Sequence, residues 1–123
     1  MTWQVDFDDD FAREFEALNA DVQDALFVAM KVLRDVGPRL GRPHVDTLED
    51  SAHANMKELR FAAADGVWRV AFAFDPRRRA LLLVAGDKAG IAERRFYTRL
   101  IAEADHRYAR HLAQLAATRN RRS

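Results

Sequence analysis

The stretch MKELRFAAADGVWRVAFAFDPRRRALLLVAG, residues 56–86, contains three β-strand patterns separated by two turn signals. The strand segments are MKELRFA, VWRVAFAF and ALLLVAG. Asp65-Gly66 separates the first from the second, and Asp75-Pro76 followed by arginines separates the second from the third. Short turns of this composition between apolar strands favour antiparallel pairing of neighbours. The stretch therefore predicts an antiparallel meander.

The segments before the meander predict one strand and two helices. Residues 2–7, TWQVDF, alternate apolar and polar side chains as a half-buried strand does. Apolar residues at helical spacing within residues 11–18 and again within residues 22–33 predict two antiparallel helices, and Gly37-Pro38 ends the second. Residues 37–55, rich in turn residues, are expected to be irregular.

One long amphipathic helix is predicted after the meander. Apolar residues recur at helical spacing from Ile91 to Leu115, and residues 116–123 are expected to be a frayed tail. The complete order is β-α-α-β-β-β-α. It indicates an α+β fold in which helices pack on a small, mainly antiparallel sheet.

Length and composition bound the class of protein. The 123 residues suit one domain, residues 1–123, with 49% hydrophobic and 32% charged residues, as in soluble globular chains. No apolar run approaches the roughly 20 residues of a membrane helix, and the acidic start MTWQVDFDDD does not resemble a signal peptide. The absence of cysteine excludes disulfides and thiolate sites. A cytoplasmic protein is expected.

The net charge of +1 conceals an asymmetry along the chain. Residues 1–50 contain 5 Lys/Arg against 12 Asp/Glu, whereas residues 51–123 contain 15 against 7. One interpretation is a polar molecule whose basic side binds RNA, DNA or an acidic protein. The other is that the charges intermix once the chain is folded, and the counts alone favour neither.

Several chemistries find no support in the sequence. Neither Ser51 nor Ser123 lies in a nucleophile-elbow context, and no Walker or dinucleotide-binding glycine pattern occurs. The histidines lack the i, i+4 spacing of a helical metal pair, and His106 and His111 are expected on the surface of the last helix. The carboxylates of residues 8–10 are more typical of a helix start, where they cap free N–H groups, than of a metal site. Neither a metal nor a cofactor is predicted.

Charged side chains are predicted within the strands themselves. Alternation in MKELR places Glu58 and Arg60 on one face of the sheet and Lys57 on the other. Arg69 lies within VWRVAF among apolar residues, where an unpaired charge is costly. Arg69 therefore needs either an anionic ligand or an ion pair with Glu58, for which Arg60 competes. The residues alone leave both interpretations open.

Further polar groups are predicted to converge near the end of the third meander strand. A helix N-terminus follows that strand closely and itself attracts anions, and Gly86 and Gly90 allow close approach of the backbone. The side chains brought to this region are Lys88, Arg94, Arg95 and Tyr97, with His53 as a weaker candidate.

This set suits cleavage of RNA without a metal. The 2′-hydroxyl of RNA attacks the adjacent phosphate, so the protein need not supply a nucleophile. It must orient the phosphate, stabilise the developing negative charge and move two protons. Arginine and lysine serve the first two roles, a tyrosine hydroxyl or a lysine serves the third, and aromatic rings stack on splayed bases.

The order of elements, together with MKELR, VWRVAFAF and LLVAGDK…RRFYTRLI, resembles the RelE/ParE toxin superfamily, and most closely its phage-derived HigB-like branch. The resemblance covers roughly residues 3 to 115. No single motif is decisive, but the ordered set with consistent spacing is fairly specific. It implies the toxin of a type II toxin–antitoxin module that cuts messenger RNA in the ribosomal A site.

The resemblance also implies roles for individual residues. Arg69 matches the strand arginine that contacts the scissile phosphate, and Lys88 matches a basic residue that stabilises the transition state or the leaving group. Tyr97 is similar to the tyrosine of the final helix, although it lies further from Lys88 than in RelE. Glu58 stands where RelE has a lysine discussed as general base, so Glu58 is either the base here or an ion-pair partner. The segment that supplies RNA contacts contains Lys57 and Arg60.

The implied partners are a helix-turn-helix, HigA-like antitoxin, the ribosome and messenger RNA. Operator DNA is expected to be bound only through the antitoxin. Two other functions are compatible with the same sequence: a ParE-like inhibitor of DNA gyrase that cuts nothing, and a degenerate toxin that acts only as a co-repressor with its antitoxin.

Overall fold

The computed structural model describes residues 2–122, and its five strands form one mixed sheet in the order β1-β5-β4-β3-β2. The predicted meander is confirmed, because β3, β4 and β5 pair antiparallel in sequence. A short β2 adds to β3, also antiparallel, and β1 pairs parallel with β5 at the opposite edge. The strands are β1 Gln4–Phe7, β2 Val45–Thr47, β3 Met56–Ala63, β4 Gly66–Phe74 and β5 Arg79–Asp87.

The helices are α1 Asp9–Glu16, α2 Ala20–Val36 and α3 Glu93–Arg122, with a short 3-10 turn at Gly37–Arg39. Asp8 caps α1, since its carboxylate accepts hydrogen bonds from the N–H groups of Asp10 and Phe11 at 3.0 and 3.2 Å. The capping interpretation of the acidic run is therefore confirmed at Asp8. No helix within residues 2–122 is long and apolar enough to cross a membrane.

The sheet is covered on both faces, because β4 and β5 carry apolar residues at consecutive positions rather than only at alternate ones. Val70 and Phe72 point to the face covered by α1 and α2, where they pack with Leu59 and Leu82. Ala71 and Ala73 point to the other face, covered by α3. Small side chains at these positions allow α3 to approach the sheet closely. The sequence order thus folds into a three-layer α+β domain.

Four details of the sequence prediction were wrong. The segment expected to be irregular contains β2, which at three residues is too short to show a period. The meander's first turn is Ala64-Asp65, both at positive φ, and Gly66 already belongs to β4. The expected frayed tail is helical to Arg122, with Ser123 outside the described residues. His111 is not a surface residue: its side chain is 14% exposed and bonded to a buried carboxylate.

That carboxylate, Asp75, joins the β4–β5 turn to α3. Its side chain is fully buried, and Oδ2 lies 2.9 Å from His111 Nε2 and 3.2 Å from an Arg79 guanidinium nitrogen. Oδ1 accepts hydrogen bonds from the backbone N–H groups of Arg77 and Arg79. Burial by itself raises the pKa of Asp75, but the hydrogen bond with His111, the two N–H groups and the Arg79 charge lower it below 3.8.

Replacing Asp75 with asparagine is expected to lower the free energy of unfolding at pH 7 by about 1–3 kcal/mol, because buried donors lose their charged acceptor. Because the folded pKa of Asp75 lies below its unfolded value, its stabilisation is complete above about pH 4 and is lost as the pH falls through the folded pKa. Urea titrations between neutral and acidic pH should show a shallower acid limb for Asp75→Asn. Asp65→Asn, at the exposed hairpin turn, is the control; an equal loss there would contradict the assignment.

Candidate functional site

A groove of about 910 Å³ lies on the α3 side of the sheet. It runs between β3, the segment from β2 into the β2–β3 connection, and the first turns of α3. Its lining residues are Arg42, Thr47, Leu48, Glu49, Asp50, Glu58, Arg60, Glu93, Arg94, Tyr97, Thr98, Ile101 and Ala102.

Glu58, Tyr97 and Arg69 form a hydrogen-bonded network at this groove. The Tyr97 hydroxyl donates to Glu58 Oε1 at 2.7 Å and accepts from Arg69 Nε at 3.2 Å. Arg69 Nε also lies 3.4 Å from Glu58 Oε1, and both side chains are only 7% exposed. Arg69 donates a further hydrogen bond to the Trp68 carbonyl oxygen at 2.9 Å. The ion-pair interpretation of Arg69 is therefore confirmed, with Glu58 as the partner.

Strand register and one glycine explain why these three side chains meet. Arg69 is paired with Arg60 on β3 and with Gly86 on β5. Gly86 leaves space on the α3 face: a Cβ there would lie 2.8 Å from the ring of Phe96. The start of α3 therefore lies close above the sheet, and Tyr97, next to Phe96, reaches over Arg69 to Glu58.

The network keeps the Tyr97 hydroxyl protonated. Burial is the largest cause of a raised pKa for Tyr97, and the hydrogen bond to Glu58 adds to it, while Arg69 acts in the opposite direction. At neutral pH the hydroxyl is thus a proton donor toward a carboxylate. Arg69 does not line the groove and lies behind Tyr97 and Glu58, so in this conformation it orients them.

Lys88 lies at the edge of the network. Its ammonium group is 5.7 Å from the centre of the Tyr97 ring and 3.1 Å from Glu93 Oε1. The Lys88 side chain is 22% exposed and that of Glu93 is 72% exposed. Because the Glu93 carboxylate of this pair is largely in solvent, the pair contributes little stability.

The residues predicted to bind RNA are divided by the fold. Arg60 and Arg94 line the groove, whereas the exposed Arg95 does not. Lys57 is on the opposite face of β3, as alternation predicted, with its ammonium 3.5 Å from Thr47 Oγ1. His53 packs edge-on against Tyr108, with 4.9 Å between ring centroids, outside the groove lining.

Sequence reasoning missed the other wall of the groove. Arg42, Glu49 and Asp50 lie in the segment predicted to be irregular, where no periodicity singles out a residue. Asp105 of α3 fixes this wall by accepting hydrogen bonds from the Ser51 hydroxyl at 2.5 Å and from the Ala52 N–H at 2.9 Å. The only local signal of a functional wall was the density of polar residues in this segment. Asp105, far along the chain, gave no signal that it would contact the segment.

The groove has mixed charge rather than a purely basic surface. Its lining contains four carboxylates, from Glu49, Asp50, Glu58 and Glu93, and three guanidinium groups. Within residues 2–122, no group of three or more His, Asp or Glu side chains is placed to hold a metal ion. The groove therefore places one phenol–carboxylate hydrogen bond, between Tyr97 and Glu58, beside cationic side chains.

Comparison with known proteins places this chain in a family. Residues 13–109 match the model of the family described as "Phage derived protein Gp49-like". The candidate toxin HigB2 of Mycobacterium tuberculosis is 43% identical over 106 residues, which is 85% of this chain and 52% of HigB2. The candidate toxin HigB3 of the same organism is 48% identical over 101 residues, 82% of this chain and 86% of HigB3. The chain thus spans about half the length of HigB2 and most of HigB3.

The fold also matches a solved toxin structure. The free state of a double mutant of the E. coli toxin RelE superposes with a TM-score of 0.60, covering 83% of this chain and 96% of RelE, at 14% identity. At that identity the match concerns the fold alone. The chain therefore belongs to the family described as phage-derived Gp49-like protein, and it is a homologue of the candidate toxins HigB2 and HigB3.

Proposed function

We propose that this protein is the toxin of a type II toxin–antitoxin module and that it inhibits translation by cutting ribosome-bound messenger RNA. The observation that carries the proposal is the Tyr97 hydroxyl, which joins the Glu58 carboxylate to the Arg69 guanidinium beside an open groove. Its relatives HigB2 and HigB3 support a toxin, since both are named as candidate toxins.

The proposed reaction uses the 2′-hydroxyl of the RNA as the nucleophile. Its oxygen attacks the adjacent phosphorus, the bond from phosphorus to the 5′-oxygen breaks, and the products are a 2′,3′-cyclic phosphate and a 5′-hydroxyl end. The 2′-hydroxyl proton passes to the Tyr97 oxygen as Tyr97 gives its own proton to Glu58. The hydrogen bond of 2.7 Å between Tyr97 and Glu58 is short enough for this transfer.

The cations have separate roles in this proposal. Lys88, released from Glu93, stabilises the phosphorane charge and gives a proton to the departing 5′-oxygen. Arg60 and Arg94 bind phosphates that flank the cut. Arg69 is a positioning residue, because it holds the Tyr97 oxygen and the Glu58 carboxylate from behind.

The proposed partners follow from the same assignment. A helix-turn-helix, HigA-like antitoxin binds the toxin and carries the contacts to operator DNA, so this chain adds little DNA binding of its own. The ribosome presents the messenger RNA. The reaction requires no cofactor in this scheme, because RNA supplies the nucleophile and the protein moves both protons.

Expression without the antitoxin is expected to stop protein synthesis before DNA synthesis, and primer extension on ribosome-bound messages should locate cuts. Because no metal takes part in the proposed proton transfers, cleavage should survive chelator levels that leave the ribosome intact. The fragments should carry 2′,3′-cyclic or 3′-phosphate ends. Fragments with 5′-phosphate ends, formed by the isolated protein only with magnesium, would contradict the mechanism.

One observation favours a second function. The groove lining contains four carboxylates and three arginines, and Arg69 is occupied by its ion pair, so fewer cations than carboxylates face an RNA phosphate there, which favours binding without cleavage. A ParE-like gyrase inhibitor would stop DNA synthesis first, with gyrase trapped on DNA. A degenerate toxin would arrest neither process and would act only as a co-repressor.

A further inference from the structure

A cationic surface lies at the end of the sheet remote from the groove. Arg69 of the groove network lies near the start of β4. Arg77 and Arg78 are exposed in the turn that follows the other end of β4. Arg39 is exposed two residues beyond Gly37, whose backbone contacts the ring of Trp3. Trp3, Arg39, Arg77 and Arg78 are called the turn patch below.

Trp3 holds the guanidinium of Arg78 in a defined place. The indole packs so closely on Gly37 that a Cβ there would lie 2.5 Å from ring atoms, and its centroid is 5.0 Å from that of Phe74. The Arg78 guanidinium carbon lies 4.9 Å from the centre of the indole. A guanidinium already stacked on an aromatic face loses less conformational freedom when it binds an anion.

The three arginines of the turn patch have no carboxylate partner within residues 2–122. The nearest acids along the chain are already engaged. Asp75 is buried and bonded to Arg79 and His111, Asp6 pairs with Arg79, and Asp35, four residues before Arg39, pairs with Arg34. The turn patch is therefore available to an external anion, whereas the groove carries its own carboxylates.

Phosphate is the anion that this arrangement fits best. Arginine forks bind phosphate oxygens bidentately, and a nucleic-acid backbone presents phosphates in regular succession. A tight turn is convex and offers little concave apolar surface, and binding of an acidic protein depends on apolar anchors in pockets. A duplex of RNA is recognised mainly through its shape and backbone, which a protruding arginine turn can reach.

We propose that the turn patch is a docking surface for the phosphate backbone of structured RNA, separate from the groove. The inference goes beyond the proposed cleavage, because it requires neither the groove nor catalysis. Binding through the turn patch leaves the groove at the other end of the sheet open.

The test measures binding of the full chain to a blunt RNA duplex of about 16 base pairs, which has no single strand to enter the groove. Fluorescence anisotropy at several salt concentrations compares wild type, R77E/R78E and the charge-matched control K31E/R99E, whose two cations are exposed elsewhere. R77E/R78E should bind at least about tenfold more weakly, and its salt slope should fall by about 0.9 for each phosphate that the protein no longer neutralises. The control should bind within about twofold of wild type.

A third variant, Trp3→Leu, keeps every arginine but removes the platform, and it should weaken binding by about threefold. Circular dichroism checks its fold, and the charge variants decide the question if Trp3→Leu does not fold. Equal weakening in the control, or no binding by wild type at low salt, would overturn the proposal. Tighter binding of polyglutamate than of the duplex, lost in R77E/R78E, would assign the turn patch to an acidic protein instead. None of these outcomes bears on cleavage in the groove.

Discussion

Replacing Arg69 with alanine is expected to lower the free energy of unfolding by about 3–5 kcal/mol, the effect of breaking one side of a buried ion pair. Glu58 would keep the hydrogen bond from Tyr97 but lose the charge that offsets its burial. The Tyr97 oxygen would lose a donor as well. Urea unfolding followed by circular dichroism measures the change.

The double variant E58Q/R69M is the control for this prediction. It removes both charges while keeping similar volume, and replacement of a buried ion pair by neutral groups is often nearly neutral for stability. Its unfolding free energy should therefore recover most of the loss. If the unfolding free energy of Arg69→Ala lies within about 0.5 kcal/mol of the wild-type value, the ion pair contributes little to stability. Arg69 would then be better explained as a residue that binds phosphate.

Replacing Tyr97 with phenylalanine is expected to slow messenger RNA cleavage by about 10²–10⁴-fold, the usual contribution of a positioned acid–base group. The ring remains, so the packing against Phe96 and the neighbouring Lys88 is retained. Glu58 keeps Arg69 as its partner, and stability should change by only about 1 kcal/mol. Primer extension on ribosome-bound message measures the rate.

Tyr108→Phe is the matched control on the same helix. Tyr108 is also buried, its hydroxyl lies 3.4 Å from the Phe74 carbonyl oxygen, and it lies outside the groove lining. Its loss should leave the cleavage rate within a few-fold of wild type, because no proton of the reaction passes through it. Equal rates for wild type and Tyr97→Phe would remove the Glu58–Tyr97 relay from the mechanism.

The strands and helices were predictable because their signals are local. Continuous apolar runs in β4 and β5 and the 3.6-residue spacing of α3 record which faces are buried, and Asp8 and Gly37 mark helix ends. The three residues of β2 are shorter than any period. The parallel pairing of β1 at the sheet edge depends on residues far along the chain and has no local signal.

The candidate site was predictable only in part for the same reason. Arg69 in an apolar strand signalled that it needs a partner, and Glu58 was one of the alternatives. Tyr97 bridges Arg69 and Glu58 because α3 lies close above Gly86. That close approach results from tertiary packing and has no signal in the local sequence. The same applies to His111, which looks like a surface residue on a helical wheel until the buried Asp75 is placed beside it.

Because β1 pairs with β5, the sheet cannot be completed until β5 has been synthesised. Gln4 pairs with Arg79 and Phe7 with Leu82, so the earliest strand waits for residues made much later. Contacts of such long sequence separation form slowly because closing the intervening chain costs conformational entropy. The network of Glu58, Arg69 and Tyr97 also forms late, because Tyr97 belongs to α3. A nascent chain that ends before the first turns of α3 therefore has no assembled groove, because those turns form one of its walls.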